Sequence, residues 1–161
     1  MSIFVVHDVP LMYQKSDGVC WYASARMLYT WGSKTKRGAM TNPANDPGYF
    51  QRYMNNGDVD SSQNWHVAQQ FNMKKHETLP QDFQGLKEFL TRYGPVWSGI
   101  KKNWDGFDHG HVVVITGVAE TGVQIHDPEP VMRGTVRWLT WEQFKTAVNA
   151  QSGNPQFLTA A

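Results

Sequence analysis

The 161-residue sequence predicts an α+β fold, because helix-type patterns fill its first half and strand-type patterns fill its second half. Apolar residues recur at helical spacing over residues 20–31 and again over residues 82–93. Residues 111–118 instead form a nearly unbroken β-branched run, which is typical of a central strand covered on both faces. We therefore expect an N-terminal helical lobe and a C-terminal lobe built on an antiparallel β-sheet.

The first two predicted helices have recognisable ends. The helix over residues 20–31 is expected to end at Gly32, since glycine commonly follows the last helical turn. Asp46 and Pro47 then supply an N-cap and a proline at the first helical position. They predict a short helix that continues to about Met54.

Two more helices are predicted before the strands begin. Ser61 or Ser62 is expected to cap a helix that places Trp65 along one side together with residues 68 and 71–73. Asp82 is expected to begin the next helix, and Gly94 to end it.

The second half of the chain contains four predicted strands and a final helix. The strands cover residues 95–100, 111–118, 123–126 and 134–139, and the tight turn at 120–122 joins the second and third as a hairpin. Thr140 and Gln143 fit a capping box, so a helix is expected from there to about Val148.

Composition limits both the architecture and the partners. Hydrophobic residues make up 40% of the chain and charged residues 18%, which fits one compact domain over residues 1–161 and excludes a disordered tail. The formal net charge of +1 gives no reason to expect nucleic-acid binding. No apolar stretch approaches the ~20 residues of a membrane-spanning helix, and no general-secretion signal is recognisable at the N-terminus.

Cys20 is the single cysteine, so an internal disulfide and a zinc site of several cysteines are both excluded. It follows a loop containing Gly18 and lies in the first turn of a predicted helix. The unpaired amides at a helix N-terminus favour the thiolate, which is the nucleophilic form of cysteine. The alternative is that Cys20 is only a small buried apolar residue, because free cysteines are often buried.

Other residues support the catalytic interpretation, because their order and spacing resemble those of the papain-like cysteine proteases. Gln14 precedes Cys20 by six residues and Trp21 follows it directly. His111 opens the β-branched run after Gly110, and Asp127 comes 16 residues later, after the next strand. In that family, residues in this order form the catalytic site, so the resemblance implies the papain-like fold.

Among papain-like proteases, the sequence resembles the short bacterial effector form. The Val9-Pro10-Leu11 entry that leads to Gln14 is similar to that of the avirulence proteases of plant pathogens and of bacteriocin-processing peptidase domains. The chain departs from the plant and lysosomal enzymes in two ways. Its cysteine-to-histidine interval is 91 residues, shorter than their ~130–150, and it lacks the additional cysteine of their structural disulfide.

The resemblance implies a role for each site residue, and the chemistry supports each one. His111 would act as the acid and base, and Asp127 would orient its ring. The Gln14 side chain and the Cys20 backbone amide would form the oxyanion hole. No metal or organic cofactor is expected.

Three further residues are candidates for the substrate cleft: Trp21, Trp104 and His109. Trp104 lies in the turn-rich segment before His111, and His109 is expected in the loop that rims the cleft. Because His109 and His111 would share a face of a strand, a His-x-His metal site is the alternative for this pair. Gly110 between them disfavours it, since glycine weakens a regular strand.

The sequence therefore predicts a cysteine peptidase that acts on a protein or peptide substrate. The resemblance implies a monomeric bacterial effector or toxin that remains in the cytoplasm of the producing cell or leaves it through a specialised secretion system, and a cognate immunity protein would accompany such a toxin. A peptidoglycan-peptide hydrolase and a deamidase or transglutaminase would use the same triad. An inactive domain kept as a binding module is the non-enzymatic alternative.

Overall fold

The computed structural model describes residues 2–106 and 108–161, and it confirms the α+β fold. The helices are α1 (Cys20–Thr35), α2 (Pro47–Met54), α3 (Asn64–Phe71), α4 (Phe83–Tyr93) and α5 (Trp141–Asn149). The strands are β1 (Ile3–Val5), β2 (Lys74–His76), β3 (Val96–Lys102), β4 (His109–Ala119), β5 (Gly122–Asp127), β6 (Thr135–Thr140) and β7 (Phe157–Thr159). Within the described residues, no helix has the length and apolar character needed to cross a bilayer.

The strands form one antiparallel sheet in the order β2-β7-β3-β4-β5-β6. β1 pairs with the far end of β4, where Ile3 lies opposite Ala119. Gly117 permits this pairing, because a Cβ atom there would lie 3.0 Å from the carbonyl oxygen of Phe4. β4 is thus paired along both edges, as expected of a central strand.

Apolar side chains form a core on each face of the sheet. One core lies between the sheet and helices α1 and α3, and it includes Trp21, Met27, Leu28, Trp31, Phe71, Trp97 and Val114. The other lies between the sheet and helices α4 and α5, and it includes Leu86, Leu90, Val113, Ile115, Ile125 and Phe144. Because α1 packs against β3 and β4, its first residue lies beside the first residues of β4.

Three of the predicted helix starts are confirmed by their capping bonds. The Asp46 side chain accepts a hydrogen bond from the Tyr49 amide at 2.9 Å, so α2 begins as expected. The Asp82 side chain caps α4 in the same way. Thr140 forms the predicted capping box at the start of α5.

The predicted end of the first helix is wrong, because α1 continues past Gly32 to Thr35. Lys36 ends it instead, in the left-handed conformation with φ 62°. The glycine serves close packing rather than termination. A Cβ atom at Gly32 would lie 2.7 Å from the carbonyl oxygen of Arg37, where the chain turns back over the helix.

The start of α3 also differs from the prediction. Asp60, rather than Ser61 or Ser62, supplies the capping side chain, and it caps a 3₁₀ turn at Ser61–Gln63 before α3 begins at Asn64. Trp65 does not share the buried side of α3 with Ala68 and Phe71, and it is 45% exposed. The structure also adds β1, β2 and β7, each three residues long, which is too short to show alternation in a sequence.

Candidate active site

Cys20 occupies the first position of α1. The amides of Tyr22 and Ala23 both donate to the carbonyl oxygen of Val19, whose side chain supplies no cap. The Cys20 amide comes before the first intrahelical hydrogen bond, so it remains a donor at the positive end of the helix dipole. The Cys20 side chain is buried, yet it lines a cavity of about 230 Å³ between the helix and the sheet.

His111 lies between Cys20 and Asp127. Its Nε2 atom is 2.7 Å from Oδ1 of Asp127, and its ring is hydrogen-bonded to the Cys20 side chain as well. Since Asp127 occupies Nε2, Nδ1 is the ring nitrogen that remains for the sulfur atom. All three side chains are buried. The structure thus brings together the three residues that the sequence predicts as catalytic.

The β4–β5 hairpin explains why Asp127, and not its neighbour His126, faces His111. His126 pairs directly with Val114, and side chains alternate along a strand, so His126 lies on the opposite face from His111. There its Nδ1 atom donates to the carbonyl oxygen of Pro10 at 3.2 Å. Asp127, one residue further along, returns to the face that carries His111.

Lys102 and Glu129 complete this cluster, and sequence reasoning missed both. The Lys102 Nζ atom lies 2.7 Å from Oδ2 of Asp127 and 3.0 Å from Oε1 of Glu129. The same Glu129 oxygen lies 3.2 Å from Nε2 of His111. A signal was present, because Lys102 is two residues after buried Ile100 on β3 and therefore shares its face. The predicted strand ends at residue 100, and residues 101–110 are expected to form a turn-rich loop, whereas β3 continues to Lys102.

Opposite charges determine the ionisation of the cluster. Burial disfavours the charged ring, but the charge of the Cys20 sulfur and the hydrogen bonds to Asp127 and Cys20 outweigh burial and raise the pKa of His111 to about 10. Burial likewise opposes the Asp127 carboxylate, yet its hydrogen bonds and charge interactions with His111 and Lys102 lower its pKa. The pKa of Glu129 is lowered for similar reasons. At neutral pH His111 is therefore an imidazolium, and it lies beside the ionised carboxylates of Asp127 and Glu129.

Gln14 is buried beside this cluster and fixed by its backbone. Its amide donates to the carbonyl oxygen of Pro128, and its own carbonyl oxygen accepts from the Met132 amide. The side-chain Nε2 donates one hydrogen bond to the carbonyl oxygen of Ser16 at 2.9 Å, which leaves its second N–H for another acceptor. Among the described residues, Oε1 of Gln14 is a buried oxygen without a hydrogen-bond partner.

The prediction that Trp21 lines the cleft is wrong. Its side chain is 1% exposed and belongs to the core beneath α1. The indole nitrogen donates to the carbonyl oxygen of Gly57 at 3.0 Å, which fixes the ring within this core. Trp21 and Cys20 are adjacent in α1, and adjacent helical side chains point in different directions. Cys20 therefore faces the cavity while Trp21 packs into the core between α1 and the sheet.

Trp104 and His109 also lie apart from the cavity at Cys20. Trp104 lines a neighbouring cavity of about 360 Å³ together with Lys102 and Arg137. His109 is the first residue of β4, not a loop residue, because Gly110 pairs regularly with Lys101. Neither side chain lines the cavity that contains Cys20 and His111.

The metal alternative for the histidine pair gains one further group in the structure. Ligand atoms of His109, His111 and Glu129 lie within 4.8 Å of one another. However, the Lys102 ammonium already contacts the Glu129 oxygen at 3.0 Å, and its positive charge would repel a metal cation at that oxygen. We therefore interpret these groups as an ion-pair network, with Lys102 as its cation.

The helix-start cysteine packed against an antiparallel sheet defines the papain-like class of cysteine peptidases. The family described as papain-like cysteine protease AvrRpt2 matches residues 3–147, and the chain belongs to this family. The matched region contains all three predicted catalytic residues and Gln14. None of the curated proteins matches the chain.

Proposed function

We propose that residues 1–161 form one hydrolase domain in which Cys20, His111 and Asp127 act as the catalytic triad. The main support for this triad is the position of the buried His111 ring, which is hydrogen-bonded to Cys20 on one side and to Asp127 on the other. The thiolate would attack the substrate carbonyl carbon, and His111 would protonate the departing amine as the C–N bond breaks. Water, deprotonated by His111, would then cleave the resulting thioester and release the acid.

Gln14 and the Cys20 amide are proposed as the oxyanion hole. The amide belongs to a helix start and has no intrahelical acceptor, so it can donate to a developing negative charge. The free N–H of the Gln14 side chain would be the second donor, and its backbone bonds to residues 128 and 132 hold it beside the same site.

The proposed substrate is a protein in another cell, which the chain reaches through a specialised secretion system. This part of the proposal is supported by the resemblance to avirulence proteases. A monomer that encounters its substrate away from the producing cell fits the role of an effector. If the effector is a toxin, the producing cell would also require an immunity protein that inhibits it.

The test compares wild type with Cys20→Ala on three classes of substrate. Casein digestion reports protein cleavage, muropeptide release from purified sacculi reports peptidoglycan cleavage, and ammonia release without backbone cleavage reports deamidation. We expect casein cleavage by wild type and none by the variant, with circular dichroism confirming that the variant is folded. Equal cleavage by both proteins would contradict the proposed triad. Activity only on sacculi would identify peptidoglycan as the substrate, and ammonia release alone would identify glutamine side chains.

A further inference from the structure

A lysine is buried directly behind the proposed triad. Lys102 is 4% exposed, and its Nζ atom lies 2.7 Å from Asp127, 3.0 Å from Glu129 and 3.7 Å from Asp105. In the part of the chain that the structure describes, it is the one lysine or arginine in the buried class. Burying an ammonium group is costly unless it is paired, so its position is fixed by these carboxylates.

The same arrangement places two carboxylates against one imidazole nitrogen. Nε2 of His111 lies 2.7 Å from Asp127 and 3.2 Å from Glu129. Two carboxylates that share a site repel each other, and one of them takes up a proton unless a cation compensates. Lys102 contacts both at hydrogen-bond distance and supplies that compensation.

We propose that Lys102 and Glu129 are charge-balancing positioning residues that act through Asp127 on His111. Lys102 holds Oδ2 of Asp127, so that Oδ1 points at His111, and its charge keeps both carboxylates ionised. Glu129 offsets part of the Lys102 charge and gives Nε2 of the His111 imidazolium a second acceptor. This inference rests on the proposed function, since it matters only if His111 serves Cys20.

Other ionisable groups around the cluster set the background for any pH-dependent measurement. They are Cys20 on α1, Asp17 before that helix, Asp105 after β3, His109 on β4 and Arg137 on β6. Arg137 lies 5.5 Å from the Trp104 ring, and Lys102 lies 5.6 Å from the same ring. Of the two cations, only Lys102 has hydrogen bonds to Asp127 and Glu129.

The direct readout is the rate at which iodoacetamide alkylates Cys20 as a function of pH. Two transitions are expected in wild type, one where the thiolate–imidazolium pair forms and one where the imidazolium loses its proton. Removing a positive charge favours protonated forms, so Lys102→Met should move both transitions to higher pH by about 1 unit or more. Glu129→Gln removes a negative charge and should move them to lower pH. The double variant should return them toward wild type.

Lys101→Met is the matched control, because it removes the same charge from the adjacent residue of β3, on the opposite face of the sheet. It should leave both transitions unchanged. The inference would be overturned if Lys102→Met lowered the alkylation rate by the same factor at every pH and left both transitions in place. That result would show a purely structural role for Lys102. If that variant does not fold, transitions in Glu129→Gln that stay in place or move upward would overturn it.

The alkylation assay uses no substrate, so the two possible failures are distinguishable. A normal two-transition profile in wild type, with no shift in the variants, contradicts the role of Lys102 and Glu129 alone. A wild-type profile with the single transition of an ordinary thiol contradicts the proposed triad, and the role of the two positioning residues with it.

Discussion

The Nε2 atom of His111 lies 2.7 Å from Oδ1 of Asp127, although 16 residues separate the two in sequence. The β4–β5 hairpin brings them together, since each residue lies near the same end of its strand and on the same face. The contact leaves Nδ1 of His111 for Cys20. Glu129 approaches the same Nε2 atom at 3.2 Å, so the ring has a second carboxylate close by.

This second carboxylate makes the effect of losing Asp127 predictable. Removing the carboxylate from a Ser–His–Asp triad lowers kcat about 10⁴-fold. We expect a smaller loss in Asp127→Asn, because Glu129 can still accept from Nε2. The double variant Asp127→Asn/Glu129→Gln should lose more than the product of the two single losses, as measured by kcat/KM on a peptide substrate. Strictly multiplicative losses would show that Glu129 does not replace Asp127.

Gln14→Ala tests the oxyanion hole. Loss of one donor to an oxyanion typically lowers kcat by about 10²–10³-fold, with little change in KM, since the contact forms mainly in the transition state. Gln84 is an exposed glutamine on α4, and Gln84→Ala is the control that should retain full activity. Because Gln14 also donates to Ser16, thermal unfolding must confirm that the variant is folded. A raised KM with normal kcat would place Gln14 in substrate binding instead.

His76 is expected to make the fold sensitive to acid. Burial disfavours its charged ring and Lys74 repels it, so the pKa of His76 is lowered to about 4. An unfolded histidine has a pKa near ~6.5, so the unfolded chain takes up a proton that the folded chain does not bind between those values. Stability is therefore present above pH ~6.5 and is lost as pH falls toward ~4.

The full shift would correspond to about 3 kcal/mol, and partial solvent exposure reduces the expected loss to roughly 1–2 kcal/mol. Urea unfolding at pH 7 and at pH 4.5 measures this difference in the free energy of unfolding. His76→Gln should reduce the acid-dependent loss, whereas a substitution of exposed His7 should not. An unchanged loss in His76→Gln would assign acid sensitivity to other groups.

Trp21 should affect stability rather than substrate binding. Trp21→Phe leaves the carbonyl oxygen of Gly57 without its donor and opens space in the core, so we expect a loss of about 1–3 kcal/mol in the free energy of unfolding. Trp65→Phe, at an exposed position, should cost much less. KM should be unchanged in both variants at a temperature where they are folded. An increase in KM for Trp21→Phe alone would restore its predicted role in the cleft.

The sequence predicted most of the features that depend on local patterns. The caps at Asp46, Asp82 and Thr140 were recognisable because a capping side chain bonds to amides only two or three residues away. Gly32 misled the prediction because its reason lies in a later part of the chain, at Arg37. The three-residue strands depend on partners elsewhere in the sheet and carry no periodicity of their own.

The same distinction holds for the site. Cys20, His111 and Asp127 were predicted from order and spacing, and the structure brings them together. Lys102 and Glu129 were missed, because a lysine and a glutamate usually indicate exposed surface. The sheet register buries Lys102 beside the triad, and Glu129 lies half-buried in the segment after β5. Trp21 was misplaced because adjacency to Cys20 in sequence does not make two helical side chains face the same way.

The most direct test of the proposed triad is whether Cys20 depends on His111 for its reactivity. Cys20 is the only cysteine, so intact-mass measurement of iodoacetamide labelling reports this one sulfur atom. At pH 6 a free thiol is a thiolate in only about 1 molecule in 300, whereas a thiolate paired with an imidazolium reacts readily. We predict that labelling of His111→Ala at pH 6 is at least ~10²-fold slower than that of wild type. Equal rates in the two proteins would contradict the proposed catalytic pair.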